Sequence, residues 1–199
     1  GGSFVYHLSR NQVLIGFVVG LDYQNPYLSP FEEFQRFKTH PSIRALLEGG
    51  RCLSYGARTL NEGGYQSIPQ LEFPGGSLIG CAAGFLNVAK IKGSHTALKS
   101  GMVAAEALYD HLIKGEPYTY QKRLEQSWVY EELYKVRNIR PGFQKGLWRG
   151  LLNAAFETYI TQGKSPWSLK NHADYQQLKL AIGSSPIAYP KPDGVRTFD

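Results

Sequence analysis

Apolar and polar positions alternate at the start of the chain and take up a helical period further on. Residues 3–8, SFVYHL, and 13–20, VLIGFVVG, are apolar and β-branched, with SRNQ between them. This pattern predicts a β-hairpin. LDYQNPYLSP is a loop broken by prolines. SPFEEFQRFKTHPSI then offers Ser29 as N-cap, Pro30 at the first helical position, and Phe31, Phe34 and Phe37 at helical spacing. Pro41 ends or interrupts this helix, and SIRALLEGG predicts a second short one with Gly49 as its C-cap. CLSYGARTL and GGYQSIPQLEF read as strands, the second placed at an edge, or broken, by Pro69. SLIGCAA reads as a short buried strand. A helix is predicted from about Ser94 to Leu112, with Leu98, Met102, Ala105, Leu108 and Leu112 on one face. Another covers roughly Thr119 to Val136, with Pro141 and Gly142 closing that segment. From 143 to 160, Leu147, Trp148, Leu151, Leu152, Ala155, Phe156 and Tyr159 share one face, while Lys145, Arg149, Asn153 and Glu157 recur on the other. The tail from 164 is polar and rich in Pro and Gly, and reads mostly as loop.

Composition narrows the class. The 199 residues are 13% aromatic and 19% charged, a folded composition. The net charge of +6 fits nucleic acid, an anionic membrane surface or an acidic protein partner. No nucleic-acid motif appears, since the aromatics lie on apolar faces and do not interleave a basic patch. Arg36, Lys38, Arg44 and Arg51 read first as a solvated face and second as a docking surface. The two cysteines, Cys52 and Cys81, form no CxxC, so the chain offers no internal zinc or iron–sulfur ligand set. A reducing compartment is the default. No apolar run approaches the roughly 20 residues a membrane span needs. The strand-like opening and turn-rich close read as a piece of a longer protein.

LIGCAAGFLNVAKIKGSHTALKSGMVAAEAL, residues 78–108, runs strand, loop, helix without a GxGxxG fingerprint. The helix start near Ser94 presents free backbone N–H groups and partial positive charge, which suit an anion or an electron-rich carbonyl. Gly84 and Gly93 permit close backbone approach. An ordinary β–α turn explains the same pattern equally well. Cys81 reads as a buried, unpaired thiol, and His95 as a packing or capping residue before a proton donor. The 143–160 segment fits a core helix or an interfacial one, and Glu157 must point to water if it lies at a membrane. Trp167 after Pro166 fits an interfacial anchor.

The wording of the chain goes further. Residues 78–108 resemble the second flavin motif of glutathione-reductase-like and hydroxylase-like flavoproteins, with Cys81 where many members carry Asp. GLDYQNPYLSPFEEFQRFKTHPSIRALLEGG, YGARTLNEGGYQSIPQLEFPGG, VRNIRPGF and YPKPDG resemble the electron transfer flavoprotein–ubiquinone oxidoreductase family, from Gly1 to Asp199. That resemblance implies an α+β fold: the returning part of a glutathione-reductase-like FAD domain (62–110) within a sheet-and-helix ubiquinone-binding domain. The latter's first part is 1–61, and its second is 111–199 with an interfacial helix at about 143–160. It implies that Gly80, Cys81, Gly84, Phe85, Asn87, Val88 and Gly93 bind FAD, and that Gly1 and Gly2 hold the ubiquinone head-group. From the residues alone, the glycine pair is a strand-start turn. The resemblance tips Leu147, Trp148, Leu151, Leu152 and Phe156 toward membrane contact. It implies electron transfer flavoprotein as donor, ubiquinone as acceptor, and a [4Fe–4S] cluster whose ligands lie outside this chain. The expected location is the matrix side of the mitochondrial inner membrane, or a bacterial cytoplasmic membrane. An FAD-dependent lipid reductase of the geranylgeranyl-reductase-like group, or a non-catalytic membrane-surface module, are the alternatives.

Overall fold

The first alternating run forms the expected hairpin. In the computed structural model, which describes all 199 residues, β1 (Gly2–Leu8) pairs antiparallel with β2 (Gln12–Val18). Arg10 and Asn11 turn the corner with φ of 61° and 55°, the positive values a tight hairpin demands. The chain divides into two units, Gly1–Ala57 with His172–Asp199, and Arg58–Asn171. Both mix helices with small antiparallel ladders, so the observed class is α+β.

In the first unit, one face of the hairpin meets α1 (Pro30–Lys38), where the rings of Phe17 and Phe37 lie 5.0 Å apart. Ser29 caps α1 by accepting from the Glu32 amide, as its spacing predicts. The helix does not bury its phenylalanines most deeply. Glu33, Gln35 and Lys38 are its buried residues, because the tail folds over them. The Tyr189 hydroxyl donates to Glu33 and the Phe198 amide to Gln35. The Lys38 ammonium sits 4.9 Å from the Phe198 ring centre. α2 (Pro41–Leu47) follows, with Gly49 at φ 72° just beyond it. The tail is loop apart from a turn of 3-10 helix at Asp174–Gln177.

The strand expected at CLSYGARTL does not form. Residues 51–64 have no regular structure, and Leu53, Tyr55 and Leu60 face solvent. An alternating pattern becomes a strand only where a partner ladder exists, and none lies alongside. GGYQSIPQLEF likewise gives one 3-10 turn at Tyr65–Ser67 and the two-residue β3 (Glu72–Phe73), which pairs with β4 (Gly76–Ser77). SLIGCAA is not a strand either. Gly80 adopts φ 58° and converts the extended run into a 3-10 turn, Gly80–Ala83.

α3 (Ser94–Lys114) matches its expectation and ends on Gly115 at φ 71°. Its apolar stripe is reversed, however. Leu98, Met102, Leu108 and Leu112 are exposed, and Thr96, Ser100, Val103 and Ala107 point inward. The predicted 119–136 helix splits into α4 (Tyr120–Glu125) and α5 (Trp128–Lys135). Ser127 makes the break: its hydroxyl caps the Val129 amide and donates to the Leu124 carbonyl. Leu71, Phe85, Tyr120, Leu124, Val129 and Leu133 close the core between these helices and the 80–86 loop. Pro141 and Gly142 are the last two residues of the short α6 (Ile139–Gly142). α7 (Leu147–Ala155) follows and widens into a π turn, Phe156–Ile160. No helix is long and apolar enough to cross a membrane.

Candidate functional site

Three surfaces collect the residues singled out by sequence. The first is the outer face of the β1–β2 hairpin. Period-two alternation and the observed register put Gly2 opposite Val18, Phe4 opposite Gly16 and Tyr6 opposite Leu14 on one side. The Phe4 ring lies over Gly16, where any Cβ would overlap it, and stands 5.5 Å from the Tyr6 ring. Phe4, Tyr6, Leu14 and Val18 are all exposed. Beside Gly2 the space is open, with nothing near the position a Cβ would take. A Cβ on Gly1 would instead strike the Val18 carbonyl oxygen at 2.5 Å. The result is a flat apolar patch with bare backbone at one end.

The second surface is the 80–93 loop. Two hydroxyls of α3 pin it: the Gly80 amide donates to Ser100 Oγ, and Thr96 Oγ1 donates to the Phe85 carbonyl at 2.6 Å. Gly80 lets the loop approach closely, since its Cβ would lie 3.2 Å from that of Ala97. Gly84 is buried with φ 83°. Phe85 is fully enclosed in the core. Asn87 is also fully buried, exchanging backbone bonds with Lys92 and donating its side-chain amide to Glu132. Val88 and Gly93 are half-buried. Cys81 departs from expectation: it is exposed and free, because the 3-10 turn carries it to the outer rim. The start of α3 beside this rim has no side-chain cap and no acidic residue in its first turn.

His95 is a packing residue. Its ring stacks on Trp128 at 5.7 Å and its Nε2 lies 2.8 Å from Glu132. Glu132 also faces the Lys90 ammonium at 3.3 Å. Burial pushes the Glu132 carboxyl up, but bonds from His95, Asn87 and Lys90 outweigh it and hold it below its ordinary value. Burial also pushes the nearby Tyr130 phenol up to about 12.

The third surface is the ridge of α7 and its π turn. Leu147, Trp148, Leu151, Leu152 and Phe156 are exposed, Trp148 to 78%. Tyr159 and Ile160 extend the ridge, and Trp167 joins it by stacking on Phe156 at 6.4 Å. Behind the ridge, Gly150 admits the Phe143 ring, where a Cβ would collide. Glu157 does not point to water. It is buried to 2% exposure, accepting from Asn138 Nδ2, Thr161 Oγ1 and Ser165 Oγ. Gly150, Asn153 and Glu157 recur at helical spacing on the inward side of the helix, and Asn153 also donates to the Asn138 carbonyl, so the expected polar face is the packed one from Asn153 onward.

The comparisons with known proteins give these surfaces a context. Residues 1–60 match the family described as "ETF-QO, ubiquinone-binding". Over its full length the chain is 56% identical to "Electron transfer flavoprotein-ubiquinone oxidoreductase, mitochondrial" of Oryza sativa subsp. japonica, covering 35% of that relative. It is 57% identical to the protein of the same name from Arabidopsis thaliana, covering 32%, and 53% identical to that of Homo sapiens, covering 34%. The chain is related along its whole length to electron transfer flavoprotein–ubiquinone oxidoreductases. It spans about a third of the length of the curated relatives it matches. The exposed hairpin face lies wholly inside the stretch that matches the oxidoreductases' ubiquinone-binding family.

Sequence reading missed the polar clamp that carries the α7 ridge. Arg137 is almost fully buried and donates to the carbonyls of Tyr134, Gly163, Ser165 and Trp167 and to Ser168 Oγ. Its guanidinium also lies 3.7 Å from the Tyr134 ring centre. Asn138 ties Glu157 to the Trp167 carbonyl and the Leu169 amide. The available clue was the Arg137–Asn138 pair inside VRNIRPGF, a polar pair where a helix was expected to end.

Proposed function

We propose that this chain is the quinone- and membrane-facing part of an electron transfer flavoprotein–ubiquinone oxidoreductase. The observation that carries the reading is the coincidence at residues 1–60. The stretch matching the ubiquinone-binding family presents a flat, exposed apolar face with bare backbone at Gly2. A quinone is a flat ring with two carbonyls. It needs apolar walls and one or two backbone donors, and Phe4, Val18 and the Gly1–Gly2 backbone supply both. In this reading residues 1–61 begin the ubiquinone-binding domain, and 62–110 complete a glutathione-reductase-like FAD domain.

FAD, when bound, passes electrons from the reduced flavoprotein donor toward the quinone. The residues present fit such a group. The uncapped start of α3 carries no acidic residue of its own, and Glu132 beside it is held by His95, Asn87 and Lys90, so its backbone N–H groups suit an electron-rich carbonyl of the flavin. Cys81 lies on the exposed rim that would hold it, the buried Gly80 and Gly84 give the loop its turns there, and Gly93 leads into the helix start. Phe85, Asn87 and Val88 support that rim from the core side. Thr96 and Ser100 position it. No residue here acts as general acid or base in this account; the chain binds, orients and excludes water. A [4Fe–4S] cluster would take its ligands from other parts of the polypeptide.

Leu147, Trp148, Leu151, Leu152 and Phe156 would seat the protein on the membrane from which quinone is drawn. The relatives' names place them in mitochondria, and this protein would act on the matrix side of the inner membrane or at a bacterial cytoplasmic membrane. The test uses the full-length polypeptide in detergent, reduced by electron transfer flavoprotein, with a short-chain ubiquinone as acceptor. Quinone reduction coupled to flavin oxidation is expected. A flavin that reduces but never passes electrons to quinone overturns the reading.

A further inference from the structure

The α7 ridge sits within a segment of unbalanced charge. From 141 to 171 the sequence contains Lys145, Arg149, Lys164 and Lys170, and a single acid, Glu157. All four basic side chains are exposed and none forms an ion pair. Glu157, the one acid of this stretch, is turned inward and held by Asn138, Thr161 and Ser165. Within this stretch the exposed side chains are therefore apolar along the crest, and the charged ones among them are all cationic. Lys145 lies just before α7, Arg149 within it and Lys164 just after the π turn.

We propose that this face docks on an anionic lipid surface, with Lys145, Arg149 and Lys164 engaging headgroup phosphates while Trp148, Leu152 and Tyr159 enter the interface. The inference rests on the membrane-docking role proposed above and adds the class of lipid. Each basic side chain near an anionic surface strengthens binding about fivefold, and apolar side chains supply the charge-independent part. The inward turn of Glu157 keeps the one acid of residues 141–171 off the exposed face.

The full-length polypeptide is measured by co-flotation with two kinds of vesicle: phosphatidylcholine alone, and equal parts phosphatidylcholine and phosphatidylglycerol. The combined variant K145Q/R149Q/K164Q is expected to lose on the order of 100-fold in affinity for the anionic vesicles and nothing for the neutral ones. Added salt should do the same to the unaltered protein. W148S should weaken both. Circular dichroism checks that each variant is folded. If the unaltered protein binds both vesicles equally and ignores salt, the lipid-class inference is overturned and the docking role stands. If a folded, flavin-loaded protein binds neither vesicle, the docking role fails and this inference falls with it; the ridge would then be covered by the rest of the polypeptide.

Discussion

Two helical packings in the 58–171 unit follow opposite plans. Around α4 and α5 the apolar residues are inside: Leu124, Val129, Leu133 and Phe85 are sealed and the polar groups face out. Around α7 the arrangement is inverted. The large apolar side chains face out, and Glu157, Asn138 and Arg137 form the inside. The first plan stabilises by removing apolar surface from water. The second holds its shape by satisfied polar bonds, which leaves its apolar crest free for another surface. The difference separates what keeps the unit folded from what it presents.

Mutations should part the two plans. Phe85→Ala empties a fully buried aromatic site, and a loss of about 3–5 kcal/mol is expected in chemical denaturation. Arg137→Ala should be nearly as severe, about 3 kcal/mol, because buried carbonyls lose charged donors. Arg137→Lys should not rescue it, since an ammonium cannot reproduce the planar fork. Glu157→Gln keeps the shape but turns a donor N–H₂ against either the Asn138 amide or the two hydroxyl donors. It should cost about 1–3 kcal/mol. Leu152→Ser on the crest should change stability by no more than about 0.5 kcal/mol while weakening vesicle binding. A large stability loss at Leu152 would mean that the ridge is part of the core, and the contrast would collapse.

The smallest expected effect is on pH dependence. The Glu132 carboxyl sits below its ordinary 4.5 in the folded protein. Its contribution is complete above that value and is lost as pH falls through the depressed folded value. A stability–pH profile should therefore slope downward on the acid side of 4.5, and Glu132→Gln should flatten that part of the slope. An unchanged slope would mean that the His95–Asn87–Lys90 cluster does not favour the charged form.

What the sequence revealed depended on whether local rules decided the outcome. The hairpin, the Ser29 cap and the span of α3 were legible, because turn, cap and terminal glycine act within a few residues. The strands expected at CLSYGARTL and SLIGCAA were not, because a strand needs a partner that local pattern does not supply. The stripe on α3 was seen, but its direction was not. Helical periodicity identifies a face without saying what lies against it. Glu157 was misread for a similar reason. The i, i+4 spacing of Lys145, Arg149, Asn153 and Glu157 identifies a shared side of the helix without saying that Asn138 packs against its second half. Asn153 turns inward as well, donating to the Asn138 carbonyl. The flavin and quinone roles proposed for the 80–93 loop and the glycine pair rest on resemblance, since neither glycines nor a loop announce a ligand by themselves.

The central claim is that the outer face of the β1–β2 hairpin receives the quinone. Gly2 allows a clean test, because a Cβ added there has no atom of the fold within 4 Å. The measurement is electron transfer flavoprotein-driven ubiquinone reduction by the full-length protein carrying Gly2→Leu, with flavin content and flavin reduction followed in the same sample. The account predicts that the KM for quinone rises at least about tenfold, the effect of losing roughly 1.4 kcal/mol of binding, while flavin content and reduction stay unchanged. Quinone kinetics equal to those of the unaltered protein would contradict it and place the quinone elsewhere.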